Sequence, residues 1–296
     1  MKNILIHTIS VFLLLLLTSG CKKSNNDNSL FFPDFSLENP DDQEDPETAT
    51  SLRVSTYNLW VQTGAAWDQR KSSVAQLIQD SKFEVCGFEE ASWEQRSYLG
   101  TQLQSEYNVL AYGRDTGGDA SNAGEMSGIL YHKNRFELLE SGRFWYSQTP
   151  DVPSSGWDET NFKRFCVWGK FKDTKTDKNF YVFQSHMPLA DLARKEACRM
   201  LVEKISEMVT DDTPVFCTGD FNATPDAPEI ASTIGNSGIL KDSYNLAPQK
   251  TGPAYTFPSR KTRIDFIFVK DAEVLSTRVI MSPLSDHYPV VIVAEL

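Results

Sequence analysis

Histidine, cysteine and positive charge are all scarce in this chain. Its 296 residues include four histidines and five cysteines, and the formal net charge is −11. The acidic balance argues against a general polyanion binder, because such proteins need basic surfaces. None of the cysteines has the paired spacing of a metal site. No repeat and no second linker divides the chain after residue 52, so one large domain is expected.

Long hydrophobic runs are also missing, apart from a short one near the N-terminus. Residues 9–17 are nearly all apolar, follow Lys2, and are too short to span a bilayer comfortably. This pattern predicts an export signal over residues 1–21. Residues 17–21, LTSGC, resemble a bacterial lipobox in which Cys21 would be acylated; a plain signal peptide is the alternative. The lipobox predicts an exported protein that is lipid-anchored to the bacterial envelope through Cys21.

The next segment is poor in cations, since Lys22 and Lys23 are its only basic residues. Residues 22–50 are rich in Ser, Asn, Asp, Pro and Glu, and residues 33–50 contain no Lys or Arg. This composition predicts a disordered acidic tether over 22–50, followed by the folded domain over 51–296. Four cysteines remain there, at positions 86, 166, 198 and 217. Their apolar surroundings favour buried free thiols, although an even count in an exported protein permits two disulfides.

From residue 52 onward, strand-like and helix-like segments alternate. Strands are predicted over 52–59, 85–88, 180–185 and 264–269, and helices over 67–79 and 190–209. The second helix is the clearest, because its apolar residues recur every three or four positions. The pattern predicts an α/β domain: a four-layer α/β/β/α sandwich, with two mixed sheets packed face to face and helices outside.

Polar residues stand at the ends of several apolar strands. Asp220 and Asn222 follow the run 215–218 at a spacing of two, which in an extended chain directs both side chains to one face. A simple turn is the alternative, since Asp, Asn and Gly are turn residues. Asp265 lies inside an apolar strand, and a buried carboxylate needs a partner. His287 is the natural one. The other strand-end candidates are Asn58, Glu90, Glu125, His186 and Asp286.

Together these segments resemble the endonuclease/exonuclease/phosphatase superfamily of divalent-metal phosphoesterases. The resemblance covers residues 52–296 and rests on six short motifs in order: Thr56-Tyr57-Asn58, Gly87-Phe88-Glu89-Glu90, Ser185-His186, Gly219-Asp220-Phe221-Asn222, Arg263-Ile264-Asp265-Phe266-Ile267 and Ser285-Asp286-His287-Tyr288-Pro289. It implies Glu90 as the principal metal ligand, with Asn58 and Asp286 nearby. Oxygen ligands of this kind suit Mg²⁺ or Mn²⁺.

The resemblance also implies roles for the remaining residues. Asp220 and Asn222 would orient and deprotonate the attacking water. His287, held by Asp265, would contact the phosphoryl group, and His186 would be a second donor with Glu125 as its partner. Arg164 would contact phosphate; the alternative is that it is simply an exposed charged residue on a strand. The chain departs from the family pattern at Glu89, which replaces a usual glutamine, and at Pro188 and Leu189, which replace polar residues.

The substrate is less well specified than the reaction class. Nucleases of this family usually place basic residues around the cleft, and the candidates here are Arg164 and a cluster that includes Arg263. The acidic balance favours a small phosphorylated metabolite, sugar phosphate or lipid head group over nucleic acid. A secreted nuclease and a non-catalytic binding lipoprotein are the alternative hypotheses. The protein is expected to be monomeric.

Overall fold

The computed structural model describes residues 46–296, except for the side chains of Thr233 and Asn236. The predicted signal sequence, Cys21 and most of the predicted tether lie outside the described residues. Over the described range, no helix combines the length and apolar character needed to cross a membrane. The end of the tether contacts the domain, since Arg53 Nε donates to the Glu47 carboxylate at 2.9 Å.

The described residues form thirteen strands and five short to medium α-helices. The strands are β1 Leu52–Asn58, β2 Val85–Ala91, β3 Tyr107–Gly113, β4 Met126–His132, β5 Phe136–Trp145, β6 Phe165–Asp173, β7 Lys178–His186, β8 Val215–Asp220, β9 Lys241–Asp242, β10 Gln249–Thr251, β11 Asp265–Lys270, β12 Glu273–Val279 and β13 Val290–Glu295. The helices are α1 Ala65–Asp68, α2 Lys71–Asp80, α3 Trp93–Gln102, α4 Asp191–Met208 and α5 Ser243–Leu246, with a π-helical turn at Glu229–Ile234.

The strands form two mixed sheets. The first has the order β10-β12-β13-β1-β2-β4-β3, and the second has the order β5-β6-β7-β8-β11-β9. Within them, β1 pairs with β2 and β7 pairs with β8 in parallel, whereas most other pairs are antiparallel. Parallel neighbours end at the same edge of a sheet, so residues that follow β1, β2, β7 and β8 are collected at one end of the sandwich.

Three apolar layers hold the sheets and helices together. Between the sheets, Val54 and Ile129 of the first sheet belong to the same cluster as Val182 and Phe216 of the second. Outside the first sheet, α2 and α3 bury apolar residues against β1 and β2. Outside the second sheet, α4 does the same against β7, β8 and β11. The predicted α/β/β/α sandwich is therefore confirmed.

The helix predicted over 67–79 is divided in the structure, because Gln69 and Arg70 separate α1 from α2. The four cysteines of the domain are free and buried, as their apolar surroundings predicted.

Candidate active site

Three candidate residues lie in one row across the second sheet. The register pairs His186 on β7 with Asp220 on β8, and Asp220 with Asp265 on β11. Because β11 runs antiparallel to β8, its first residue meets the last residue of β8. Gly219, which precedes Asp220 and pairs with Ser185, allows β7 and β8 to approach closely beside this row: its φ is +147°, and a Cβ there would lie 1.9 Å from the Ser185 carbonyl oxygen.

Asn58 and Glu90 reach the same place from the first sheet. The β2–β4 register shifts between Phe88 and Ala91, and Glu90 has a φ of +54°. This bulge leaves Glu89 buried between the sheets and turns Glu90 partly toward solvent. Asn58 Nδ2 donates to Glu90 Oε1 at 3.1 Å and to Asp220 Oδ2 at 3.3 Å. Asn58 therefore links the two sheets at the site.

Glu90, His186 and Asp220 lie close enough to share a metal ion, because their ligand atoms are all within 4.8 Å of one another; Asp220, Asp265 and His287 form a second such group. His186 Nε2 is 3.8 Å from Glu90 Oε1 and 3.6 Å from Asp220 Oδ2. Carboxylate oxygens such as those of Glu90 and Asp220 suit a divalent cation, so the residues present fit a metal. The group shares only Glu90 with the predicted set, since it contains Asp220 and His186 instead of Asn58 and Asp286.

The other two predicted metal ligands stand beside this group. The amide oxygen of Asn58 accepts from the Trp60 backbone N–H at 2.9 Å, so in this orientation Asn58 acts toward the carboxylates as a donor. Asp286 is half-buried and accepts from Ser285 Oγ at 3.4 Å. Burial raises the pKa of Asp286, and the charges of His287 and Glu90 act on it in opposite directions.

Asp265 and His287 form a buried pair. Nδ1 of His287 lies 3.0 and 2.9 Å from the two carboxylate oxygens of Asp265, and both side chains are almost fully buried. The ring of Phe257 packs on the imidazole with centroids 4.8 Å apart. Burial opposes the imidazolium charge, but Asp265 and then Asp220 outweigh it and raise the pKa of His287 to about 10. His287 is therefore cationic at neutral pH.

Asp220 lies between the two histidines. Its Oδ1 accepts from the Asn222 backbone N–H at 2.8 Å, and its Oδ2 is 3.9 Å from His287 Nε2. Burial, together with the Asp265 carboxylate, raises the pKa of Asp220 to about 7 against the opposing charge of His287. Asn222 has a φ of +50° and donates from Nδ2 to the Met187 carbonyl oxygen at 3.0 Å, which fixes its side chain.

His186 has a different direct partner from the predicted one. Glu125 Oε1 lies 3.8 Å from His186 Nδ1, which is beyond hydrogen-bond distance. Arg164 Nη1 donates to that nitrogen at 2.6 Å and lies 3.5 Å from Glu125 Oε1. Burial and the Arg164 charge hold the pKa of His186 well below its usual value. The imidazole is therefore neutral, with its proton on Nε2.

Arg263 lies outside this cluster. Its guanidinium donates to both oxygens of Asp242, at 3.1 and 2.6 Å, and packs over the rings of Tyr244 and Phe266. The prediction that Arg263 contacts substrate is therefore replaced by a structural role. A residue two positions before Asp265 looked well placed, but its side chain pairs with the edge strand β9.

The sequence reasoning missed Arg70. This residue is fully buried and donates to the carbonyl oxygens of Leu59, Trp60 and Leu284 at 2.8, 2.5 and 2.7 Å. It thereby ties the backbone after Asn58 to the backbone before Asp286. Nothing in its local sequence distinguishes it from a surface arginine.

The chain is similar to known proteins in both sequence and structure. Residues 55–287 match the model of the endonuclease/exonuclease/phosphatase family. An endonuclease/exonuclease/phosphatase family protein from Bacteroides thetaiotaomicron is 33% identical, with a TM-score of 0.77, covering 83% of this chain and 95% of the other. A mannosyl-6-phosphatase from the same organism is 32% identical, with a TM-score of 0.77, covering 83% of this chain and 100% of the other.

More distant curated relatives also match. An uncharacterised protein of Acanthamoeba polyphaga mimivirus is 28% identical over 123 residues, and the match spans 40% of this chain and 44% of the viral protein. Protein angel of Drosophila melanogaster is 22% identical over 263 residues, which cover 78% of this chain and 71% of the fly protein.

Proposed function

The chain belongs to the endonuclease/exonuclease/phosphatase family, and from this premise we propose that it is a divalent-metal-dependent phosphoesterase. Its substrate would be a small phosphorylated metabolite, a sugar phosphate or a lipid head group, with a monoester or diester bond cleaved by water. The observation that carries the proposal is the meeting of Asp220, Glu90 and the Asp265–His287 pair at one end of the sandwich. The similarity to a mannosyl-6-phosphatase supports a sugar phosphate.

Glu90 would be the principal metal ligand, with Asn58 and Asp286 nearby. His186 would not be a ligand, because its Nδ1 accepts from Arg164 and its Nε2 carries the proton. Mg²⁺ is the ion that we propose, and Mn²⁺ is its alternative. When bound, the metal would offset the negative charge of the phosphate ester, which otherwise repels attacking water. The donation from Asn58 to both Glu90 and Asp220 keeps the two carboxylates in place across the sheets.

Asp220 is the proposed general base. Its pKa of about 7 lies near the working pH, which is where a base is most effective. Asn222 would help to orient the water, because its side chain is held by the Met187 carbonyl oxygen and its backbone N–H by Asp220. No covalent nucleophile is needed in this scheme.

Two histidines and an arginine would act on the phosphoryl group. His287 is cationic and would stabilise the charge that develops on its oxygens. His186 is neutral and would donate from Nε2, because Nδ1 already accepts from Arg164. Arg164 would add a second positive charge, and Glu125 would hold Arg164 rather than His186 directly.

A nuclease is the second candidate function. Arg260 and Lys261 are exposed on a turn next to Phe257, which itself packs on His287. Cations in that position would suit a nucleic-acid backbone. The acidic balance of the chain favours the small substrate, since counterion release needs several phosphate contacts.

We propose that the protein is exported and lipid-anchored through Cys21. We also propose that its folded domain works as a monomer. The support is the short apolar run and the lipobox-like residues 17–21. Metabolic labelling with a radioactive fatty acid checks it: the wild-type protein should take up label and the Cys21→Ser variant should not. Equal labelling of both proteins would rule out this anchor.

The activity is tested with the purified protein on five compounds: p-nitrophenyl phosphate, bis-p-nitrophenyl phosphate, mannose 6-phosphate, sphingomyelin and plasmid DNA. Each is assayed with Mg²⁺ and with EDTA, beside Asp220→Ala and His287→Ala. His132→Ala is the matched control, because His132 ends β4 and lies outside the cluster. We expect metal-dependent turnover that both site variants lose and the control keeps. Retained turnover in Asp220→Ala would contradict the mechanism.

A further inference from the structure

We propose that Arg114, acting with Arg164, makes the site selective for phosphomonoesters over phosphodiesters. This inference rests on the proposed phosphoesterase function and adds a specificity-determining residue to it. Arg114 follows β3 directly and lies on the loop that leads to Glu125 and β4.

The two arginines are arranged around one ring and one carboxylate. The guanidinium carbons of Arg114 and Arg164 lie 4.7 and 4.9 Å from the centroid of Phe162. Their Nη1 atoms lie 2.8 and 3.5 Å from the same oxygen, Oε1 of Glu125. One carboxylate therefore faces two permanent cations, and the group keeps an excess of positive charge.

Phe162 is itself held in place. Glu159 is buried and accepts from the backbone N–H of Phe162 at 3.3 Å and from that of Leu189 at 3.2 Å. Leu189 lies on the segment that follows His186. The wall that carries the arginines is thus tied to the backbone beside the catalytic row.

The excess charge lies next to the proposed reaction centre. Arg164 donates directly to His186, which lies 3.6 Å from Asp220. Arg164 is 6% exposed, and its Nε is buried with no hydrogen-bond partner among the residues that the structure describes. The side chain of Arg114 is 17% exposed, so a ligand can reach it. A buried, unpartnered guanidinium N–H with excess charge favours an anionic group here.

The chemistry of the two ester classes then decides selectivity. A phosphomonoester carries about 1.5 to 2 negative charges at pH 7 and three terminal oxygens. A phosphodiester carries one charge and two terminal oxygens, because the second ester group replaces one of them. Guanidinium groups bind phosphate oxygens in pairs of parallel hydrogen bonds. A second arginine beside Arg164 therefore binds a monoester more strongly than a diester, because the monoester has more negative charge and one more terminal oxygen.

The test compares kcat/KM for p-nitrophenyl phosphate and bis-p-nitrophenyl phosphate at pH 7.5 with Mg²⁺, in the wild-type protein, Arg114→Gln and Arg114→Lys. Arg143→Gln is the matched control, since Arg143 also stacks on aromatic rings, at 4.5 Å from Tyr112 and 5.8 Å from Trp145. Thermal unfolding of each variant reports folding.

We expect the wild-type protein to prefer the monoester. Arg114→Gln should lower kcat/KM for the monoester by about 30-fold, the size of a lost charge-assisted contact, and for the diester by less than about 3-fold. Arg114→Lys should fall between, because it keeps the charge and loses the paired geometry. The inhibition constant of inorganic phosphate should rise in Arg114→Gln and stay unchanged in Arg143→Gln.

Three results would overturn the inference: an equal loss on both esters, no loss, or a wild-type preference for the diester. Each of them leaves the phosphoesterase function standing. If the wild-type protein cleaves none of the five compounds of the activity panel, the proposed function fails instead. Calorimetric titration with inorganic phosphate then still decides whether Arg114 binds a phosphate group, because Arg114→Gln should weaken phosphate binding and Arg143→Gln should not.

Discussion

Replacing Asp265 with asparagine tests the electrostatic argument for the site most directly. The change keeps the shape of the side chain and removes the charge that His287 Nδ1 contacts at 2.9 and 3.0 Å. Without that carboxylate, only Asp220 and Asp286 oppose the burial that disfavours the imidazolium charge. We therefore expect the pKa of His287 to fall from about 10 toward its ordinary value of 6.5.

The sign of the stability effect follows from that shift. The pKa of His287 is higher in the folded protein than in the unfolded chain, so the pair stabilises the fold fully below pH 6.5. This contribution is lost as the pH rises through about 10. At about 1.4 kcal/mol per pKa unit, the shift sets an upper bound of about 5 kcal/mol. We expect Asp265→Asn to lower the free energy of unfolding by about 3 kcal/mol at pH 6. The loss stays below the upper bound because the imidazole can release its proton instead of remaining charged and unpaired.

Two measurements check this prediction. Residues 46–296 contain three histidines, so nitrogen-15 NMR titration can follow His287 once His287→Ala has assigned its signal. Urea unfolding at pH 6 and at pH 10 gives the difference in unfolding free energy between the wild-type protein and Asp265→Asn, which should shrink at the higher pH. The reasoning is refuted if His287 of the wild-type protein titrates near 6.5, or if the difference is the same at both pH values.

Two further predictions concern residues beside the site. Glu89→Gln should stabilise the protein by about 1 to 2 kcal/mol at pH 8 and by less at pH 5. Burial and the nearby carboxylates raise the pKa of Glu89 well above its usual value, so ionising this side chain is harder in the folded protein than in the unfolded chain. The resulting loss of folding stability grows as the pH rises past about 4.5. Thermal unfolding at both pH values measures it, and a less stable variant at pH 8 would contradict it. Arg263→Met should destabilise the fold by about 3 kcal/mol, because it leaves Asp242 unpaired, while kcat/KM changes less than about 3-fold. Chemical unfolding and steady-state assays separate the two effects; a large loss of kcat/KM in a stable variant would restore Arg263 to the substrate site.

Much of the architecture could be read from local patterns. The apolar periodicity of 190–209 predicted the helix found at Asp191–Met208, and the alternation of strands and helices predicted the layered sandwich. A carboxylate inside an apolar strand requires a partner wherever the strand lies, and Asp265 indeed contacts His287. These inferences succeed because periodicity and the cost of burying charge are local properties of the sequence.

The contacts of the long side chains were decided only in the folded molecule. Sequence reasoning paired His186 with Glu125, but Arg164 lies between them. It placed Arg263 at the substrate, whereas Arg263 binds Asp242. It did not identify Arg114, which binds Glu125. An arginine reaches several ångströms from its backbone and finds its partner on another strand or loop. Strand order, register and the bulge at Glu90 determine which partner is within that distance, and those are properties of the whole fold. The sequence by itself determined which residues had to be brought together at the strand ends, and only the tertiary structure decided which atoms of those residues touch.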